Sequence, residues 1–459
     1  MTLLPNLETT LEWARVRLTE SAEDPGLVLL GLPAPAVAPE RVFCWQRREP
    51  AVFWEASRAS SWVGLGAAIA LKARGPERFL RIRSGAADHD FKSHGWAGLP
   101  SPTPHWFGGF AFAPGQCSSE PWIDFGDASF LLPRFLYERS ETRASLIVAT
   151  TRADRSGADA RTQSVERLRS LLLALSAPEP SSAELARARG VAEAPCFARE
   201  EYCERVVDIQ RAIAQGSLAK VVAAGRLVVH LPAEPDCDAV LGALRRQDPG
   251  STVFGFRFGT ARFVGASPER LVRQSGLEIE TEAVAGSAPA NGASSRAELL
   301  GSSKNRWEHE LVVDTLKRRL DPLCTRLELE PAPAVRALRR VIHLWTPIRG
   351  RLREPRHILE LVGHLHPSPA VGGVPVQGAS DWILRHEPHA RGWYSGPVGW
   401  FDAAGNGDFA VALRSGLLRE KRAYLFAGSG IVQRSDADEE LRETELKLST
   451  LRSALGVDL

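Results

Sequence analysis

No Cys-x-x-Cys pair occurs in this chain, and none of its six cysteines (Cys44, Cys117, Cys196, Cys203, Cys237, Cys324) has a histidine at zinc-ligand spacing. That excludes the common structural zinc motifs and a disulfide framework, and it points to reduced, structural thiols in a cytosolic protein. Charge of one sign is missing too: 57 Lys and Arg against 55 Asp and Glu leave a net +2. Such a balance offers no electrostatic footprint for nucleic acid, and the run from Arg336 to Arg340 reads as one solvated helix face. No basic stretch leads into an apolar one at the N-terminus, and no apolar run reaches the roughly 20 residues of a spanning helix. No secretion signal and no membrane partner are expected; the cytoplasm is. The absence of any fixed-period repeat excludes a solenoid or propeller. What remains is an ordinary globular composition, 44% apolar and 24% charged, in a chain long enough to bury a large core around a small-molecule site.

One compositional break divides the chain. The Pro/Ser/Ala/Arg-rich segment 176–195 reads as a surface crossover between a β-rich N-terminal part, 1–175, and a C-terminal part, 196–459. An amphipathic helix from Val165 to Leu175 precedes it and another from Arg199 to Gln215 follows. The N-terminal part carries a Gly-rich aromatic cluster, Trp106 to Phe112, and alternating runs such as Ala144 to Ala149. In the C-terminal part, Lys220 to His230, Thr252 to Phe258 and Arg262 to Gly265 read as strands, and Asn305 to Leu320 and Asp438 to Leu455 as helices. Hairpin-like turns mixed with helices predict an α+β fold rather than a doubly wound sheet.

Candidate chemistry concentrates in the C-terminal part. The run from Arg391 to Trp400, followed by Phe409 to Ser415, packs glycines, aromatics and arginine into two adjacent strand-like segments, as a pocket that grips a small anion would. On the 305–320 helix Glu308 borders the apolar stripe. On the final helix Glu440, Glu443 and Lys447 share one face beside Leu448, Leu451 and Leu455. Carboxylates at the edge of a buried face need partners. Mg2+ with oxygen ligands would serve, and so would salt bridges from Lys304 to Glu308 and from Lys447 to Glu443. Lys220, where a helix hands over to an apolar strand, is a candidate general base because burial disfavours the charged ammonium; its bland reading is a strand-end lysine reaching for solvent. Glu269 is either an acid-base group or a turn carboxylate paired with Arg270.

The ordered motifs AKVV, GASPERLV, EAVAGS, WEHELVVDTL, HLWTPIRGRL, LHPSPAVGGVP, RGWYSGPVGW, GNGDFAVALRS, AGSGIV and RETELKLSTL run from about Cys196 to Leu455. They resemble the catalytic half of the chorismate-utilising enzymes, and WFGGFAF and PWIDFGDASFLLPR upstream fit as well. The resemblance implies layered antiparallel sheets flanked by helices, as in anthranilate synthase component I. Members that add ammonia lack the lysine matching Lys220, and the aminodeoxychorismate group carries a lysine where Ala285 stands here. Ala285-Gly286-Ser287 is similar to the isochorismate synthases, which add water.

That branch implies Lys220 as the base that activates water for attack at C2 of chorismate and Glu269 as the acid for the departing C4 hydroxyl. It implies Glu308 and Glu443 as Mg2+ ligands, with Glu440 holding a metal-bound water. Arg414 and Tyr394 would hold the enolpyruvyl carboxylate with backbone N–H groups around Gly428 and Gly430. Gly286, Ser287, His343 and Lys447 would complete the ring side, and a monomer would suffice. Salicylate synthase, with pyruvate elimination, and a non-catalytic chorismate-binding subunit are the alternatives; the acid-base pair argues against the second. Gly225, Asp408, Ser368 and Ser429 depart from the usual residues, and Gly225 would loosen strand packing near Lys220.

Overall fold

The computed structural model describes residues 6–46, 48–177, 191–192, 198–290 and 292–457. Among them all strand pairings are antiparallel except Leu27–Pro33 against Phe91–Gly95. The layering follows from alternation along the strands. In Ala51–Ser57, Val52 and Trp54 face an aromatic core while Phe53 faces helices. In Thr252–Phe258 the phenylalanines join the same aromatic core and Val253 faces the other way. A second sheet, including His105–Phe110, Pro397–Asp402 and Gly407–Val411, turns Phe107, Val398 and Ala410 toward that core, and Trp106, Phe401 and Phe409 toward other helices. The result is helix, sheet, sheet, helix, with Trp122, Phe125, Phe254, Phe263 and Trp393 between the sheets. Edge-to-face contacts, such as Phe125 to Trp393 at 5.0 Å, order this layer.

The two long strands Ser60–Ala73 and Ala128–Ser140 run through both sheets. Val63, Phe135 and Tyr137 contribute to one helix-facing core, Ala73, Phe130 and Leu132 to the other. N-terminal strands also pair directly with C-terminal ones: Ala51–Ser57 with Thr252–Phe258, and His105–Phe110 with Pro397–Asp402.

The expected elements are present. The strand Lys220–His230 matches in full; the helices are Ser303–Leu320 and Ala437–Ala454, and Ala261–Ser267 extends the shorter strand expected there. The register of Lys220–His230 with Arg422–Ile431 runs unbroken through Gly225 opposite Ala427, so the strand pairing is not interrupted there. The helix Ala158–Ser176 runs up to the expected crossover, Arg199–Ala214 follows it, and the crossover itself lies largely outside the described residues, as does Cys196. The Arg336–Arg340 run is not a helix face. Ala334–Ala337 is a strand pairing with Val341–Leu352, and Arg336 points inward. The five described cysteines are free thiols. No described helix is long and apolar enough to cross a membrane.

Candidate active site

The site forms where two helices cross strand ends. Ser303–Leu320 starts at an N-cap in which the Ser302 side chain accepts from the Asn305 N–H, and it ends on Lys317, Arg318 and Arg319, favourable against the helix dipole. Ala437–Ala454 is capped by Asp436 and carries Asp438, Glu439 and Glu440 in its first turn. Lys220 opens its strand fully buried, with Nζ 2.9 Å from Glu308 of the first helix. Gly430 on the neighbouring strand makes room for this pair: a Cβ there would lie 2.2 Å from Glu308 Oε1 and 2.7 Å from Lys220 Cε.

Lys220 therefore does not reach solvent, and Glu308 is not the partner of Lys304. Lys304 binds Glu440, while Lys447 holds Glu443 at 2.6 Å in the expected i, i+4 bridge. Burial and the nearby Glu443 and Glu308 push the Glu440 carboxyl up, against the pull of Lys304. Burial also weighs on Glu443, but Lys447 and Lys304 outweigh it and hold this carboxyl below the usual range. These carboxylates come from two helices, Glu308 and Glu440 buried and Glu443 partly so, and each is held by a lysine; their oxygens are of the kind that a hard dication such as Mg2+ takes.

Glu269 follows a strand in which Ser267 Oγ accepts its N–H and donates to the Val411 carbonyl. Its carboxyl is buried and accepts from Ser368 Oγ at 3.1 Å. Arg270 is not its partner; that guanidinium goes to Asp408 and Glu280. Burial, then the charge of Glu282, raises Glu269 to about 8, while Ser368, Lys220 and Arg336 pull the other way. A carboxyl in this state is a proton donor near neutral pH.

On the opposite wall, Arg414 adopts the left-handed backbone region at φ 48° and Ser395 does so at φ 57°. Non-glycine residues held there recur at functional sites. Arg414 donates to His343 Nε2 at 3.1 Å. A guanidinium only donates, so the imidazole proton sits on Nδ1, which faces Ser287 Oγ at 3.0 Å and the Gly286 carbonyl. Burial, then Arg414 and Lys447, keep this histidine neutral, well below its usual value. Lys447 also donates to the Gly428 carbonyl at 2.9 Å, and Tyr394 stacks on Phe426 at 5.3 Å.

Glu269, Ser287, Glu308, Tyr394, Arg414 and Glu443 line one pocket. Gly286, His343, Gly428, Gly430 and Lys447 complete the predicted part of that lining; Lys220 and Glu440 sit behind it. Arg391 lines the pocket but grips no anion. Its guanidinium is spent on Glu387, on the Val222 and Val371 carbonyls and on Ser395 Oγ, which ties strands together. Val371, Leu413 and Phe426 were missed because isolated apolar residues carry no chemical signal. Ser368 registered only as a departure from a motif, and Ser429, another, binds the Tyr202 hydroxyl at 2.6 Å.

The family model of the chorismate binding enzymes matches residues 13–456. The chain belongs to that family. This chorismate binding enzyme is 38% identical over 450 residues to a "salicylate biosynthesis isochorismate synthase" of Pseudomonas aeruginosa, covering 95% of this chain and 92% of that one. It is 34% identical over 355 residues to isochorismate synthase MenF of Bacillus subtilis, at 76% and 74% coverage. Among solved structures, the menaquinone-specific isochorismate synthase MenF of Escherichia coli superposes with a TM-score of 0.77 at 26% identity, covering 97% of this chain and 100% of that one. Anthranilate synthase component I of Streptococcus pneumoniae shares the fold, with a TM-score of 0.66 at 20% identity over 93% and 92% of the two chains.

Proposed function

We propose that this chorismate binding enzyme is an isochorismate synthase. Water adds at C2 of chorismate, the double bonds shift, and the C4 hydroxyl leaves as water. The observation that carries the reading is a raised carboxyl lining the pocket with a buried lysine behind its wall, within a family whose similar members are named isochorismate synthases. Water needs a base to become a nucleophile and a hydroxyl needs an acid to leave. Lys220 takes the proton from water at Nζ, and Glu269 delivers one to the C4 oxygen.

Arg414 and Tyr394, with the backbone around Gly428 and Gly430, hold the enolpyruvyl carboxylate. His343, Ser287, Gly286 and Lys447 bound the ring. Glu308 and Glu443, with Glu440 through a water, are the residues that would hold Mg2+, which supplies a hard Lewis acid for the ring carboxylate. The proposed enzyme acts as a monomer in the cytoplasm, where thiols such as its cysteines stay reduced.

Substrate and product exchange one C–O bond for another, so the reaction is near balance. Purified protein given chorismate and Mg2+ should yield a mixture of chorismate and isochorismate by chromatography, with little pyruvate in a lactate-dehydrogenase-coupled assay. Stoichiometric pyruvate with fluorescent salicylate would replace this reading with salicylate synthase. Recovery of chorismate alone would leave a binding subunit.

A further inference from the structure

Behind Glu269 lies a second buried carboxylate that the reaction scheme does not use. Glu282, in the strand Glu278–Pro289, receives the Arg336 fork at 2.7 and 2.6 Å, the Trp345 indole N–H at 2.8 Å and the Arg270 backbone N–H at 2.8 Å. Arg336 also donates to the Pro268 carbonyl and lies over the Trp345 ring, 4.7 Å from its centroid. The peptide is thus gripped on both sides of Glu269, at Pro268 O through Arg336 and at Arg270 N through Glu282.

A carboxylate with four charged or polar donors is well satisfied, and a bidentate guanidinium fixes its plane. Its fold role alone would not demand this place. The strands Glu278–Pro289 and Val341–Leu352 are already paired over Glu278 to Pro289, and the Glu282–Arg336 pair adds a bridge to the one turn that carries the acid.

We propose that Glu282 and Arg336 form a positioning pair for the acid: they clamp the Pro268–Arg270 peptide and set opposed charges behind the Glu269 carboxyl. The inference rests on the reading of Glu269 as proton donor. The groups facing that carboxyl are Glu282 on its own sheet, Arg336 on Ala334–Ala337, Lys220 at the start of the facing strand and the Ser368 hydroxyl after the helix Ile358–Leu365. Glu282 favours the protonated acid and Arg336 opposes it, so removing each moves Glu269 in opposite directions. A pair that served only to hold the fold would move it in neither, or in one direction for both.

The test is pH-titrated infrared difference spectroscopy of the full chain without substrate, following the carboxylic-acid C=O band that Glu269→Gln removes. In the wild type that band should fade around pH 8, as the raised carboxyl ionises. Glu282→Gln should lower the midpoint by about one unit, the scale of a nearby like charge, and Arg336→Gln should raise it. Arg336→Gln keeps a donor toward Glu282 and Pro268, so it carries the test if Glu282→Gln fails to fold. Midpoints that stay put, or move together, overturn the inference and leave the acid reading standing. A wild type with no such band at neutral pH overturns the acid reading itself, and this inference with it, whatever product the enzyme makes.

Discussion

Replacing Gly430 by alanine places a methyl group into the contact on which the proposed base depends. The new carbon would meet Glu308 Oε1 at 2.2 Å and Lys220 Cε at 2.7 Å, whereas ordinary contact begins at 3.4 Å. The oxygen must retreat by about 1.2 Å and the lysine by about 0.7 Å, and a misplacement of about 1 Å near the reacting atoms costs on the order of 10² in rate. Both groups are buried, so neither swings into solvent, and the overpacking costs about 1–3 kcal/mol of stability. Gly430→Ala should therefore remain folded with a lowered melting temperature and convert chorismate about a hundredfold more slowly. Gly301→Ala, whose added carbon meets nothing within 4 Å, is the control and should match the wild type. Initial rates by product chromatography, beside thermal melts of both variants, provide the measurement. A Gly430→Ala rate within twofold of wild type would refute the claim that the Lys220–Glu308 geometry matters.

Lys220→Gln should lose water addition by roughly 10²–10⁴, the scale of a missing general base, and acquire a trace of amination when ammonium is supplied, since ammonia needs none; wild-type isochorismate formation would return Lys220 to a packing role. Glu308→Gln and Glu443→Gln should each abolish Mg2+-dependent turnover with the thermal transition retained, and a variant active at ordinary Mg2+ would show that its residue serves only its lysine. With the acid raised to about 8, turnover should fall as pH rises through that value. The folded-state value lies above that of a free glutamate, about 4.3, so the same carboxyl makes stability decline as pH rises between the two; an alkaline limb that survives Glu269→Gln would assign it elsewhere.

Local order was readable because it is written locally. Lys220–His230 is an apolar, valine-rich run interrupted only by Gly225 and Arg226, and the two site helices show apolar spacing with caps at their starts. What spacing along one helix cannot show is which lysine crosses from another element. Periodicity offers Lys304 to Glu308, yet Lys220 takes that carboxylate and Lys304 goes to the other helix. Arg336 misleads for the same reason: an arginine in a basic run looks solvated until Glu282 arrives from another strand, whereas Arg391 looks free for a ligand although its partner Glu387 lies only four residues away. The motifs compensated, because their order preserves positions whose partners are distant.

The pairing of N-terminal strands into both sheets has a consequence for any attempt to reduce this enzyme to its catalytic residues. Every proposed site residue falls between 220 and 447, which invites a shortened version beginning near Arg199. Such a fragment would leave Thr252–Phe258 without Ala51–Ser57, Pro397–Asp402 without His105–Phe110, and the central aromatic layer open on the side of Phe107, Trp122 and Phe125. Bare strand edges beside exposed aromatic rings recruit other chains. The first part of the sequence supplies none of the proposed site residues, yet it covers the edges and rings by which the second would stick to itself.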